Sequence, residues 1–426
     1  MPRKVDRFNV DGEDYVIEPV LDAVPTQGSV NGVESGGVYS AMQQDKTSVP
    51  MSGDNRNFTA NGAALLELEQ HKQSVQGLYW KYVNSNISGR FTAFGSDNFV
   101  VVDYVANTNR IQYSPDGETW HEATVNFTPT NGYYNQVAYG ENGNFVTGHS
   151  MGGVILYSDD DGKTWDTATL PGDITAMHIF NTFCYFKGVW VTAGNYGSMT
   201  SLYSTDNGHT WQHTTGEVFG GIGISGYFVK SETCIIKESG ADANYAFLRS
   251  TDGINWTGFN LPSLGAGRQG SVSYAGGAWF ICHSGLGGGL YRSTDEGITW
   301  TRVLVTDDGN NVLYKFGWVA ELNGCLFANS YGGTSDALFV STDNGANWMK
   351  TGVTVPSSSY LRKLGGILVA GCWAGLGGNF MRSVDGLNWE QTTVTAAIRF
   401  MDIAYGKGKY VATQTITNSY IPMVTV

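Results

Sequence analysis

The chain has 426 residues, 41% hydrophobic and 13% aromatic, enough to bury a large core, although single cores rarely grow this big. With 25 Lys and Arg against 38 Asp and Glu the formal charge is −13, and no basic block occurs, which argues against nucleic acid and anionic membrane as partners. The 57 glycines suit many tight turns, and the plentiful aromatics argue against disorder.

The N-terminus, from Met1 to Asp6, has no apolar signal-peptide segment, and no run approaches membrane-spanning length. The expectation is a protein made in the cytoplasm, without a signal peptide or membrane insertion. Phe8 and Val10 alternate, Asp11-Gly12 marks a turn, and Tyr15 and Ile17 alternate again, which predicts a small hairpin. The string PTQGSVNGVESGGVYSA at residues 25–41 then resembles the PT-x-GS-x-N-x-V-x-SGGVY-x-A segment near the front of phage and prophage tail-fibre and receptor-binding proteins. That resemblance implies a virion tail protein whose N-terminal region attaches to other tail proteins. By composition alone the string reads as a Gly/Ser-rich linker with one amphipathic turn. Asn61 caps a predicted helix through about Val75, and Gly77 stops it. Its Leu65, Leu68, Lys72 and Val75 fit either a short seam of a homotrimeric fibre or a helix docked on the next domain. Residues 1–77 are therefore read as a small mixed attachment region and 78–426 as a second domain.

The second domain is governed by a repeat. The phrases SPDGETW, SDDDGKTW, STDNGHTW, STDGINW, STDEGITW, STDNGANW and SVDGLNW close on Trp120, Trp165, Trp211, Trp256, Trp300, Trp348 and Trp389, with steps of 41 to 48 residues. A period in that range marks repeated supersecondary units. Each phrase reads as a hairpin turn. Its aspartate (Asp116, Asp160, Asp206, Asp252, Asp295, Asp343, Asp385) accepts N–H groups a residue or two ahead, and its glycine takes a positive φ. The tryptophan opens the departing strand and lays its indole on the sheet.

Seven such phrases resemble the Asp box, the bacterial neuraminidase repeat, found between the third and fourth strands of propeller blades. Sialidases, other glycoside hydrolases, sortilin-type receptors and photosystem assembly factors share it, so the resemblance implies a fold and leaves function open. The box residues are read as structural. First and second strands (QVAYG and NFVTGHS, SVSYAGG and AWFICHS) count to eight, because IRFMDIAYGKG and KYVATQT follow the seventh box. A third strand near IPMVTV ends the chain, and LYWKYV at 78–83 offers the missing fourth. Closing the ring in this way removes exposed edges. The expected fold is all-β, an eight-bladed β-propeller, with seven blades plus a C-terminal addition as the alternative.

Cys184, Cys234, Cys282, Cys325 and Cys372 are odd in number and sit in strand-like runs, so they read as core hydrophobes rather than disulfides or zinc ligands. Propeller topology puts the loops between second and third strands on the face away from the boxes, the face that ligands usually use in this fold. Those loops carry Tyr196, Tyr331 and Trp373 among glycines. Connections between blades carry Tyr133, Tyr134, Phe219 and Tyr360 with Arg268, Arg362 and Arg399. Flat rings beside hydrogen-bonding groups suit a sugar or a protein surface, and capping of blade ends is the structural alternative. His149 and His283 occupy matching positions but read as loop polar residues, and neither a metal nor a cofactor is expected. A sialidase carries an aromatic-Arg-Ile-Pro string, three arginines in another chain order, a Tyr–Glu pair and an Asp acid. Asn109-Arg110-Ile111-Gln112 lacks the proline and abuts the first box. The reading is therefore a non-enzymatic phage or prophage tail protein that binds a bacterial surface glycan or protein across Tyr196, Tyr331, Trp373, Arg268, Arg362 and Arg399. A virion-associated glycoside hydrolase is the alternative, and a third class is an intracellular assembly-factor propeller.

Overall fold

The computed structural model describes strands Val5–Val10, Glu13–Ile17, Leu21–Asp22 and Gly32–Val33, and from Trp80 to Thr425 all but a set of connecting stretches, the longest being 218–226, 262–269, 373–379 and 392–398. The chain divides into two compact units, Met1–Gln76 and Gly77–Val426. In the first, Val5–Val10 and Glu13–Ile17 form the expected antiparallel hairpin, with Phe8 opposite Tyr15. Leu21–Asp22 pairs in parallel with Gly32–Val33. The predicted helix over 61–75 and the rest of the tail-fibre-like string lie outside the described residues.

The second unit is an all-β propeller. Among the described residues its strands form eight sheets, each built on four antiparallel strands and three of them extended by one or two more, numbered here in chain order. Their first strands are Phe91–Phe94, Tyr134–Tyr139, Ile179–Phe186, Val229–Lys230, Gly270–Ala275, Phe316–Leu322, Ser359–Leu364 and Arg399–Gly406. Hairpins join each first strand to the second, and their sequence fixes the turn. Lys187-Gly188, Asn323-Gly324 and Gly365-Gly366 each place two successive residues at positive φ, from 51° to 90°, the backbone of a type I′ turn that matches strand twist.

Sheet eight has only three strands of its own. Its third, Ser419–Thr425, pairs antiparallel with Trp80–Tyr82, Met423 opposite Tyr82 and Thr425 opposite Trp80, so the start of the unit supplies the fourth strand. This is the pairing expected from LYWKYV.

Each sheet packs face to face on the next through an apolar layer. Val100, Phe145 and Trp165 fill the layer between sheets one and two. Ala404, Val411 and Val424 of sheet eight meet Phe99 of sheet one in the layer that joins the last sheet to the first. The box glycines make this approach possible. A Cβ on Gly162, whose φ is +86°, would fall 2.3 Å from Val100 of the preceding sheet. Glycine is needed there for its backbone and for its lack of a side chain.

Two features carry no sequence signal. After several fourth strands the chain runs parallel to the next sheet's fourth strand before crossing inward. Thr124 and Val125 lie beside Thr164 and Trp165, Thr215 and Gly216 beside Asn255 and Trp256. Several first strands also bulge near their leading ends, between Tyr134 and Val137, Phe180 and Thr182, and Phe400 and Asp402. Cys184, Cys234 and Cys282 are buried thiols, as expected, and burial pushes Cys184 up to about 11 and Cys282 to about 12.

Candidate functional site

Alternating strand direction puts the first-to-second hairpins and the boxes on one face. The leading ends of first strands and the second-to-third connections share the other.

On the box face the carboxylates are committed to their turns. In the second box Ser158 donates its hydroxyl to Asp160 Oδ1 at 2.9 Å and accepts from Gly162 N at 3.0 Å. Asp160 Oδ1 also accepts from Lys163 N and Thr164 N at 3.0 and 2.8 Å, Thr164 Oγ1 donates to Oδ2 at 2.6 Å, and Trp165 Nε1 donates to Gly162 O at 2.9 Å. The donors stand three and four residues ahead, not one or two, because Asp161 is inserted before the glycine in a left-handed conformation, φ 63°. In the shorter first box Asp116 takes Glu118 N and Thr119 N, two and three ahead. Burial raises the Asp116 carboxyl, and the Thr119 and Glu118 N–H groups outweigh it, holding it at about 2. The inserted residue links sheets as well. Asp161 accepts from Ser96 N and Asp97 N of sheet one at 2.9 and 2.8 Å, and Glu296 of the fifth box accepts from Ser231 Oγ of sheet four at 2.9 Å.

Of the residues nominated for ligand binding, Tyr196, Tyr331, Trp373 and Arg268 lie outside the described residues. Arg399 opens the first strand of sheet eight, with its side chain outside them too. Arg362 is described, and it centres a polar cluster. Its Nη1 lies 3.6 Å from Asp402 Oδ1, with 31% of the Arg362 side chain and 13% of the Asp402 side chain exposed. The guanidinium carbon sits 5.0 Å from the ring centroid of Tyr360 and 5.3 Å from that of Tyr227, with which it also shares a hydrogen bond. Tyr227 precedes the first strand of sheet four, Tyr360 and Arg362 lie on that of sheet seven and Asp402 on that of sheet eight, so the cluster draws on three sheets at the leading ends of the first strands.

Asp402 is held in place. Its Oδ2 accepts from Thr92 N of sheet one at 3.2 Å and its Oδ1 from Ile403 N at 2.9 Å. Burial pushes the Asp402 carboxyl up, against the pull of Arg362 and these two N–H groups, and Asp402 in turn keeps Arg362 firmly protonated despite burial. Tyr360 Oη is buried with no hydrogen-bond partner among the described residues. The cluster thus sets a partly exposed guanidinium beside two tyrosine rings, its charge balanced by an anchored carboxylate.

Tyr227 and Asp402 were not nominated from sequence. For Asp402 a signal existed: DIAYG in sheet eight aligns with QVAYG in sheet two, where Gln136 Oε1 accepts from Phe183 N at 3.1 Å of the following sheet. A polar side chain at that repeat position ties successive first strands together. For Tyr227 no local signal exists, since its partners are far away in sequence.

His149 departs from its reading as a loop polar residue. It ends the second strand of sheet two and is fully buried beside Tyr134 and Phe127, with ring centroids 5.2 and 5.4 Å away. Burial lowers its pKa to about 4. Tyr134 is buried as well. His283 ends the matching strand of sheet five, its side chain outside the described residues. Among the described residues no group of three or more His, Cys, Asp or Glu is placed to hold a metal ion, and no helix is long and apolar enough to cross a membrane.

A family profile for the BNR/Asp-box repeat matches residues 202–213, the third box and the strand before it. No curated protein matches the chain. Among solved structures the chain is similar to the C-terminal WD40 domain of Sif2, at 8% identity over 82% of this chain and 98% of that one with a TM-score of 0.55. It is also similar to the computationally designed Ika8 protein, at 9% identity over 82% and 99% with a TM-score of 0.53. YCF48 from Cyanidioschyzon merolae aligns at 16% identity over 68% and 95% with a TM-score of 0.44. At these identities the likeness is one of fold, a β-propeller carrying an Asp-box repeat.

Proposed function

We propose that this protein is a phage or prophage tail protein, attached through residues 1–77 to other virion proteins, whose propeller binds a bacterial surface glycan or protein without hydrolysing it. The observation that supports a binding role is the Arg362 cluster. Its aromatic faces and partly exposed arginine edge suit recognition, while its carboxylate is anchored by Thr92 and Ile403 N–H groups and paired with Arg362. Because Asp402 already matches the Arg362 charge, a neutral sugar or a protein surface fits this face better than a highly acidic polymer. The tail assignment rests on the string at residues 25–41.

The test applies the purified chain to a glycan array and to bacterial cells with intact or stripped surface polysaccharide, with a parallel assay for released reducing sugar. Saturable binding without release is the expected outcome. Release of sugar would replace this reading with the hydrolase, and absence of binding to every array member and cell would overturn it.

A further inference from the structure

We propose that the box face carries a second, separate ligand site, for the carboxylate of an acidic sugar, in the cleft between the first-to-second hairpins of sheets two, three and four. This inference is independent of the reading of the opposite face. The cleft has a volume of about 430 Å³ and is lined by Glu141, Tyr185, Lys187, Lys230, Ser231 and Glu232 among others.

Five lysines stand at or beside these hairpins around the ring, and they fall into two groups. Lys363 pairs with Glu321 at 2.8 Å, Lys409 with Glu118 at 2.6 Å and Lys407 with Asp97 at 3.5 Å, in each case across to a neighbouring sheet. Lys187 and Lys230, both in the cleft, have no carboxylate at ion-pair distance among the described residues. Lys187 Nζ donates to Thr233 O at 3.3 Å and Lys230 Nζ to Tyr185 O at 2.6 Å. Those carbonyls engage each ammonium without neutralising it. Each retains two N–H donors.

Lys187 has the left-handed backbone of its turn position, φ 51°, as Lys407 has in the matching hairpin of sheet eight at φ 50°, but Lys407 reaches the Asp97 carboxylate where Lys187 reaches a carbonyl. Around the two ammoniums stand acceptors. Glu141 takes the Tyr185 hydroxyl, and Glu232 is exposed on the rim. Two ammoniums beside carboxylates complement a ligand with one carboxylate and several hydroxyl donors. A polyanion is repelled by Glu141, Glu232 and the net charge of −13.

The test is titration of the full-length chain at low ionic strength with glucuronate, with glucose, and with an acetylated dipeptide carrying a free C-terminal carboxylate. Glucuronate should bind at least about tenfold more tightly than glucose, since one charge-assisted hydrogen bond accounts for that much, and more tightly than the dipeptide, which brings the carboxylate without the ring hydroxyls. Lys187→Gln combined with Lys230→Gln should remove that advantage at unchanged melting temperature, Lys363→Gln should leave it intact, and about 0.5 M salt should mimic the double change. Equal binding of glucuronate and glucose, absence of saturable glucuronate binding, or an undiminished double variant would each overturn the site. Tighter binding of the dipeptide would overturn its assignment to a sugar.

Discussion

Gly117 of the first box lies against Val411 of sheet eight, so closely that a Cβ on the glycine would fall 2.8 Å from the valine Cγ2. The same contact recurs between successive sheets, as Gly208 against Val146 and Gly253 against Val191. The last sheet is therefore packed against the box of the first as sheets one to six are packed against the boxes that follow them. Together with the pairing of Val424 and Lys81, this contact closes the ring.

That contact predicts unequal costs for two glycine substitutions with similar backbones. Gly324→Ala, at φ +78° with open space around it, should lose about 1–2 kcal/mol from the left-handed backbone alone. Gly117→Ala, at φ +75°, adds the clash and should lose a further 1–3 kcal/mol or so. Chemical denaturation of both variants checks this. Equal losses would mean that sheets eight and one are not in contact.

Closure also predicts how truncation behaves. Removal of residues 1–70 should leave a soluble propeller, whereas removal through residue 86 deletes the strand paired with Met423 to Thr425 and exposes an edge. The longer truncation should aggregate or melt well below the shorter one. Matching melting curves would contradict the pairing.

Box residues should matter to folding and leave binding on the opposite face untouched. Asp160→Ala strips acceptors from Lys163 and Thr164 and should cost on the order of 1–3 kcal/mol. Asp161→Gly keeps the left-handed backbone but removes the acceptors of Ser96 and Asp97 N–H, so its loss reports the link between sheets one and two. Binding per folded molecule, measured beside denaturation, should stay constant in both.

Arg362→Ala should destabilise the propeller by on the order of 2 kcal/mol, because Asp402 is left buried without its partner. The loss stays below that of a fully buried pair, since 31% of the Arg362 side chain is exposed. Adding Asp402→Asn should recover much of it, and a double-mutant cycle measures the coupling. Additive losses would show that the two residues act separately.

Acid should weaken the fold in two stages. His149 is held neutral, its pKa lowered from 6.5 to about 4, so its contribution is full above pH 6.5 and fades as pH falls through 4. That shift corresponds to about 3 kcal/mol. Asp116, Asp252, Asp295 and Asp343 are held at about 2 against 3.8, so their contribution is full above about pH 4 and lost as pH falls toward 2. Urea unfolding of wild type and His149→Gln at pH 7 and pH 4.5 separates the stages, and the gap between the two proteins should narrow at the lower pH.

Local chemistry was legible in the sequence, and contacts between sheets were less so. Asp160, Gly162 and Trp165 act on one another within a few residues, so their spacing carries the turn. The strand at 80–82 was legible because a ring has a balance of strands to keep. The parallel run of Thr124 and Val125 beside Thr164 and Trp165 was not, since two residues are too few to show a period. His149 was misread because its Gly-rich surroundings look like a loop while its own residue ends a buried strand. The Tyr227, Arg362 and Asp402 cluster belongs to three sheets, and only the ring brings it together.

The proposed binding role is tested most directly by attachment of the chain to bacterial cells after Tyr196→Ala, Tyr331→Ala and Trp373→Ala are combined. Aromatic truncation at a binding centre commonly costs above about 2 kcal/mol, roughly thirtyfold in affinity. The predicted result is attachment weakened at least that far, at an unchanged melting temperature. Undiminished attachment by a folded triple variant would contradict the assignment of the face away from the boxes.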